Sequence, residues 1–121
     1  MTTTLSPAQL LEEARRLLDH SSRGTVSVWS RAAALLARQA LEEALRRFWR
    51  TRAPGVEQAS MRAQLACLRT YLPAEEVAAD VSFAWQALSR ATHHHPYELD
   101  PTREELQSLL ATTDRVIDAV G

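Results

Sequence analysis

An all-α fold is predicted by three features of these 121 residues. Alanine and leucine dominate the apolar residues and Ile117 is the lone isoleucine, a usage that favours helix over strand. Apolar positions recur at spacings of three and four through long stretches, and none alternates with a period of two. The three glycines and five prolines stand mostly where those stretches break off. With short linkers between them, the periodic segments predict an antiparallel bundle of four main helices plus a short additional helix. One domain spans residues 1–121, with 1–5 frayed.

The first helix opens at Ser6-Pro7-Ala8-Gln9, where Ser6 caps, Pro7 suits the first helical position and Gln9 completes a capping box. It runs to about His20, and Leu10, Leu11, Ala14, Leu17 and Leu18 form its apolar stripe. The second and longest helix is expected over about Ser27 to Arg52. Val28, Ala32, Leu35, Leu36, Ala40, Leu41, Ala44, Leu45, Phe48 and Trp49 are its buried face. The opposite face carries Arg31, Arg38, Glu42, Glu43, Arg46, Arg47 and Arg50. Glu42 with Arg46, and Glu43 with Arg47, are i,i+4 pairs in the favourable order, each contributing about 0.2–0.5 kcal/mol. Arg50 and Arg52 fall in the last turn without an acidic neighbour in sequence, where they face the helix dipole or extend a basic surface.

Pro54-Gly55 breaks that helix, and a short one follows over about Ser60 to Thr70 on the stripe Met61, Leu65, Leu68, Leu72. Cys67 falls within this stripe and is expected to be buried. A lone cysteine excludes an intramolecular disulfide and fits a reducing compartment. The next helix is expected from Pro73 to His94, led by Glu75 and Glu76 at its positive end. Its stripe is Val77, Val81, Ala84, Trp85, Leu88 and Ala91, while Phe83, Gln86, Arg90 and His94 line another face. Asp100-Pro101 opens the last helix, which turns Leu106, Leu109, Leu110, Thr113, Val116, Ile117 and Val120 inward. Trp29, Trp49 and Trp85 are expected as core or interface fillers.

Charge is nearly balanced overall, at −1, but unevenly placed. Residues 1–72 hold eleven arginines and six acids, 11 − 6 = +5; residues 73–121 hold three and nine, 3 − 9 = −6. A polyanion is therefore expected to touch the first half. There is no lysine, and with so much alanine the arginine usage reads as a coding bias. Neither an export signal nor a run of eighteen apolar residues is present, so the expectation is a cytoplasmic protein with no membrane contact.

The chemistry-bearing stretch is Arg90-Ala91-Thr92-His93-His94-His95-Pro96-Tyr97. Histidine titrates nearest neutral pH and the arginine fork matches phosphate oxygens, so together they supply a proton acceptor and an anion clamp. On a continuous helix, His94 lies one turn from Arg90 and His93 shares that side. His95 precedes Pro96 and is biased out of the helix. The same histidines serve equally as a cationic cap on a helix C-terminus. Adjacent histidines on one helix end cannot all converge on one ion, and no metal or other cofactor is expected. No nucleophile elbow or glycine-rich phosphate loop exists to support a serine hydrolase or a nucleotidase.

Arg90, four residues, then His95 at the end of a late helix resembles the Arg-x4–6-His signature of HEPN domains. Ala37-Arg38-Gln39-Ala40-Leu41-Glu42-Glu43-Ala44-Leu45 is similar to the long early helix of that family. The resemblance covers roughly residues 26–120 and implies an all-α homodimer whose two helix ends meet in a cleft. In active members it implies a metal-independent RNase, with His95 as base or acid, His94 as its fallback, and Arg90 steadying charge on the phosphoryl group. RNA contacts are then expected from Arg46, Arg47, Arg50 and Arg52, and an antitoxin or other protein as a partner. A second function stays open, that of a non-catalytic helical module binding a protein or nucleotide-like ligand.

Overall fold

The computed structural model describes residues 5–20, 26–93 and 101–121, and these are all-helical apart from their turns. Five α-helices follow in order among them: α1 (Pro7–Asp19), α2 (Val26–Arg52), α3 (Met61–Tyr71), α4 (Glu75–Thr92) and α5 (Arg103–Val120). A single 3-10 turn at Val56–Gln58, not expected from the sequence, joins α2 to α3. It begins at Gly55, whose φ of 107° is a left-handed conformation that a side chain resists.

The starts of α1, α3 and α5 each have a local cause. The Ser6 hydroxyl accepts from the Gln9 N–H at 3.1 Å while the Gln9 side chain accepts from the Ser6 N–H at 2.8 Å, so the capping box forms as the sequence predicts. Ser60 caps α3 through the Ala63 N–H, and Thr102 caps α5 through the Glu105 N–H. The α5 start therefore belongs to Thr102, two residues beyond Asp100, which lies outside the described residues. Pro73 is not the first turn of α4. That helix begins at Glu75 behind an extended Ala74 with no side-chain cap.

The core gathers α1, α2, α4 and α5, with Leu11, Leu18, Leu41, Leu45, Trp49, Leu88 and Leu106 among its almost fully buried side chains. Ion pairs from Arg15 to Asp114 (3.0 Å) and from Arg103 to Asp19 (3.4 Å) tie α1 to α5 and set the two in opposite directions. Trp49 packs edge-on against Phe48 and Tyr71, with ring centroids 5.0 and 5.4 Å away, and so anchors the end of α3 to α2.

The buried face of α2 follows the expected stripe from Ala40 to Trp49 and is turned from it in the first half of the helix. Val28 is 62% exposed and Leu35 37%, whereas Ala33, Ala34 and Ala37 are fully buried. Small residues let neighbouring helices approach closely, and the seam settles on the alanines; periodicity alone cannot distinguish that choice from the neighbouring stripe of larger side chains. Cys67 likewise corrects the expectation, because it is exposed. Leu68 is the fully buried residue of α3, and Gln64 takes the other inward position, donating from its amide to Glu57 O and Ala59 O at 3.2 and 2.9 Å.

Candidate functional site

The end of α4 is set by a hydroxyl. Thr92 donates to Leu88 O at 2.7 Å and reaches Ser89 O at 3.1 Å, the latter a carbonyl that the last turn leaves free. His93 closes the helix as its cap, with φ −94° and ψ 134°, in extended backbone. The expected helix through His94 is therefore too long, and His93 does not continue the Arg90 face as a helical residue. His94 and His95 lie outside the described residues.

Arg90 occupies the last turn of α4 and is exposed. Among the described residues its guanidinium has no ion pair and no hydrogen bond. Phe83 sits two turns earlier on the same outer face and is 62% exposed. The inner side of the same turn faces α2, where Arg38 Nη1 lies 3.5 Å from Thr92 Oγ1. Arg38 also stands over the Trp85 ring, 5.4 Å from its centroid, a cation–π arrangement. Its Nε is 3.4 Å from Glu42 Oε1, without hydrogen-bond geometry.

Sequence reasoning placed Arg38 on the solvent side of α2 and missed it as a neighbour of this site. The sequence carries no signal for it, because a charge on a helix flank reads as solvated. The Nε atoms of Arg31 and Arg38 are buried without a hydrogen-bond partner among the described residues, as are the Ser30 and Ser89 hydroxyls.

The expected RNA-contacting arginines lie in the last turns of α2, beyond Arg38. Arg46 and Arg47 both fork onto Glu43, the latter with Nε 3.1 Å from Oε1. Glu43 is only 7% exposed, so it belongs to the interior and not to the outer face. Glu42 pairs with Arg38 and not with Arg46 as the i,i+4 rule predicted; the buried Glu43 draws Arg46 from three residues away. Arg50 is exposed, and Arg52 stands 5.5 Å from the Phe48 ring centroid. Arg47 and Arg52, with Phe48, Ile117 and Val120, line a hollow of about 370 Å³ between the start of α1 and the ends of α2 and α5. No group of histidine, cysteine and acidic residues suited to a metal ion occurs among the described residues. No described helix is long and apolar enough to cross a membrane.

No protein-family model, curated protein or solved structure matches the chain. Among the described residues, what stands is an all-helical arrangement with an arginine that has no ion pair or hydrogen bond at the end of α4.

Proposed function

We propose that this chain is a HEPN-like antiparallel bundle acting as a metal-independent endoribonuclease or RNA-binding element of a toxin, stress or defence system, as a cytoplasmic homodimer. The observation that carries this is Arg90: exposed and, among the described residues, unpaired in the last turn of α4, with histidines following in the sequence and α5 after them. A guanidinium with its donors free is suited to a phosphoryl oxygen. His95, or His94 in its place, removes the proton of a ribose 2′-OH. The 2′ oxygen attacks the adjacent phosphorus, and the bond to the 5′ oxygen breaks. A protonated histidine returns the proton to that leaving oxygen, so the products are a 2′,3′-cyclic phosphate and a 5′-hydroxyl. Arg46, Arg47, Arg50 and Arg52 supply contacts along the RNA backbone, Arg46 and Arg47 by exchanging Glu43 for phosphate. An antitoxin or similar protein is the partner that restrains it.

A second reading, a non-catalytic module for a protein or nucleotide-like partner, is favoured by the exposed Phe83 on the Arg90 face. Incubating wild type and the Arg90→Ala/His95→Ala double variant with total RNA in EDTA separates the two. Wild-type-specific fragments ending in 2′,3′-cyclic phosphate support the RNase. Intact RNA with both folded proteins, across substrates and with candidate partners added, rejects it in favour of the binding module.

A further inference from the structure

The hollow at the end of α2 is apolar below and cationic above. Ala44 and Phe48 on α2 and Ile117 and Val120 on α5 form its floor, each at most 9% exposed. Spacings of four and three put each pair on one face of its helix. Arg47, Thr51 and Arg52, all exposed, form the rim. The volume of about 370 Å³ falls in the range of small-molecule sites. About 15 Å of helix separates Phe48 from Arg38, which stands beside the end of α4, so the hollow is distinct from the Arg90 site. The helix dipole explains arginines in the last turn of α2. It does not explain an unfilled apolar floor beneath them.

We propose that this hollow binds an aliphatic acid, with its chain on the floor and its carboxylate between Arg47 and Arg52. No acidic side chain lines the hollow. Arg46 and Arg47 share the one carboxylate of Glu43, and Arg52 has no ion pair among the described residues, so three guanidiniums stand against one acid at the rim. The ends of α2 and α5 bring about half a negative charge each and the start of α1 about half a positive one, so the excess stays positive. Guanidinium forks pair bidentately with carboxylates. The floor decides the other end of the ligand. It offers no donor or acceptor side chain, and the Thr51 hydroxyl already donates to Arg47 O. A nucleobase placed there would leave its polar edge unpaired, whereas a saturated chain has none to lose. Arg52 stands over the Phe48 ring, at the border between the two regions.

The acid site needs neither Arg90 nor the histidines, so it stands apart from the RNase reading. Where RNA runs along α2, the acid competes with it for Arg47 and Arg52, while Arg46 and Arg50 lie outside the hollow. Calorimetric titration of the full chain with hexanoate, octanoate and decanoate tests the site, beside octanol and acetate, together with amide chemical-shift mapping of octanoate. Octanoate is expected to bind one-to-one, and each added methylene to tighten binding by up to about fourfold. Shifts are expected at residues 44–52 and 117–121. Arg47→Ala and Arg52→Ala are each expected to weaken octanoate by about tenfold, with octanol unaffected and helical circular dichroism unchanged. The Arg90→Ala/His95→Ala variant is expected to bind as wild type does. Equal binding of octanol and octanoate overturns the site as an apolar patch only, and equal binding of acetate and octanoate as an adventitious ion only. Absence of saturable octanoate binding, or shifts centred elsewhere, also overturns it. RNA cleavage by a chain that takes no octanoate strikes the site alone, and octanoate binding by a chain that cleaves no RNA strikes the RNase alone.

Discussion

Trp49 shows how much one side chain holds. It is fully buried and touches aromatic rings from its own helix and from α3. Trp49→Ala is expected to cost about 3–5 kcal/mol, read by urea denaturation. Its indole N–H has no partner among the described residues. Trp49→Phe therefore forfeits no hydrogen bond and should cost clearly less than the alanine change. Arg90 is the opposite case, since its exposed side chain has no ion pair or hydrogen bond among the described residues. Arg90→Ala is expected to leave stability within about 0.5 kcal/mol, whatever it does to function. Trp49 was legible in the sequence because it continues a stripe with Leu41, Leu45 and Phe48. Arg38 was not legible: a charged residue at a helix flank reads as solvated, and only its stacking on Trp85 from another helix reveals the inward turn.

Among the helices, α3 is the most lightly held. It buries only Gln64 and Leu68, while α2 carries a nearly continuous buried seam from Ala33 to Trp49. Amide hydrogen exchange is expected to show α3 opening well before α2 and at a free energy below that of global unfolding. Comparable protection of the two helices would contradict it. The caps set a second expectation. Ser6→Ala removes the acceptor for the Gln9 N–H and should destabilise α1 by about 0.5–2 kcal/mol, visible as a lower melting temperature. Such starts were readable because capping is local chemistry: Ser6 and Ser60 act within three residues of themselves. The α2 seam and the exposure of Cys67 were not, because both depend on where other helices press. The end of α4 fell between these cases. Pro96 announced a stop, but the Thr92 hydroxyl placed it two residues earlier than expected.

Across the whole molecule, the basic first half and acidic second half are partly joined by the two ion pairs between α1 and α5. The interior Glu43 meanwhile pairs with both Arg46 and Arg47 from beneath and offsets one of their two charges. Glu43→Gln removes that charge and frees two guanidiniums. It is expected to elute later from heparin than wild type, with some loss of stability from a buried group left poorly paired. Unchanged elution would mean that these arginines do not meet polyanions. The hollow lined by Pro7 from α1 and by Val120 and Gly121 also shows that the start of the first helix lies beside the end of the last. Chain order is therefore separable from architecture. A short flexible linker from residue 121 back to residue 5, with new ends cut at the exposed Pro54–Gly55 turn, would yield a circular permutant threading the same helices in a different sequence, and its helical content should match that of the original chain.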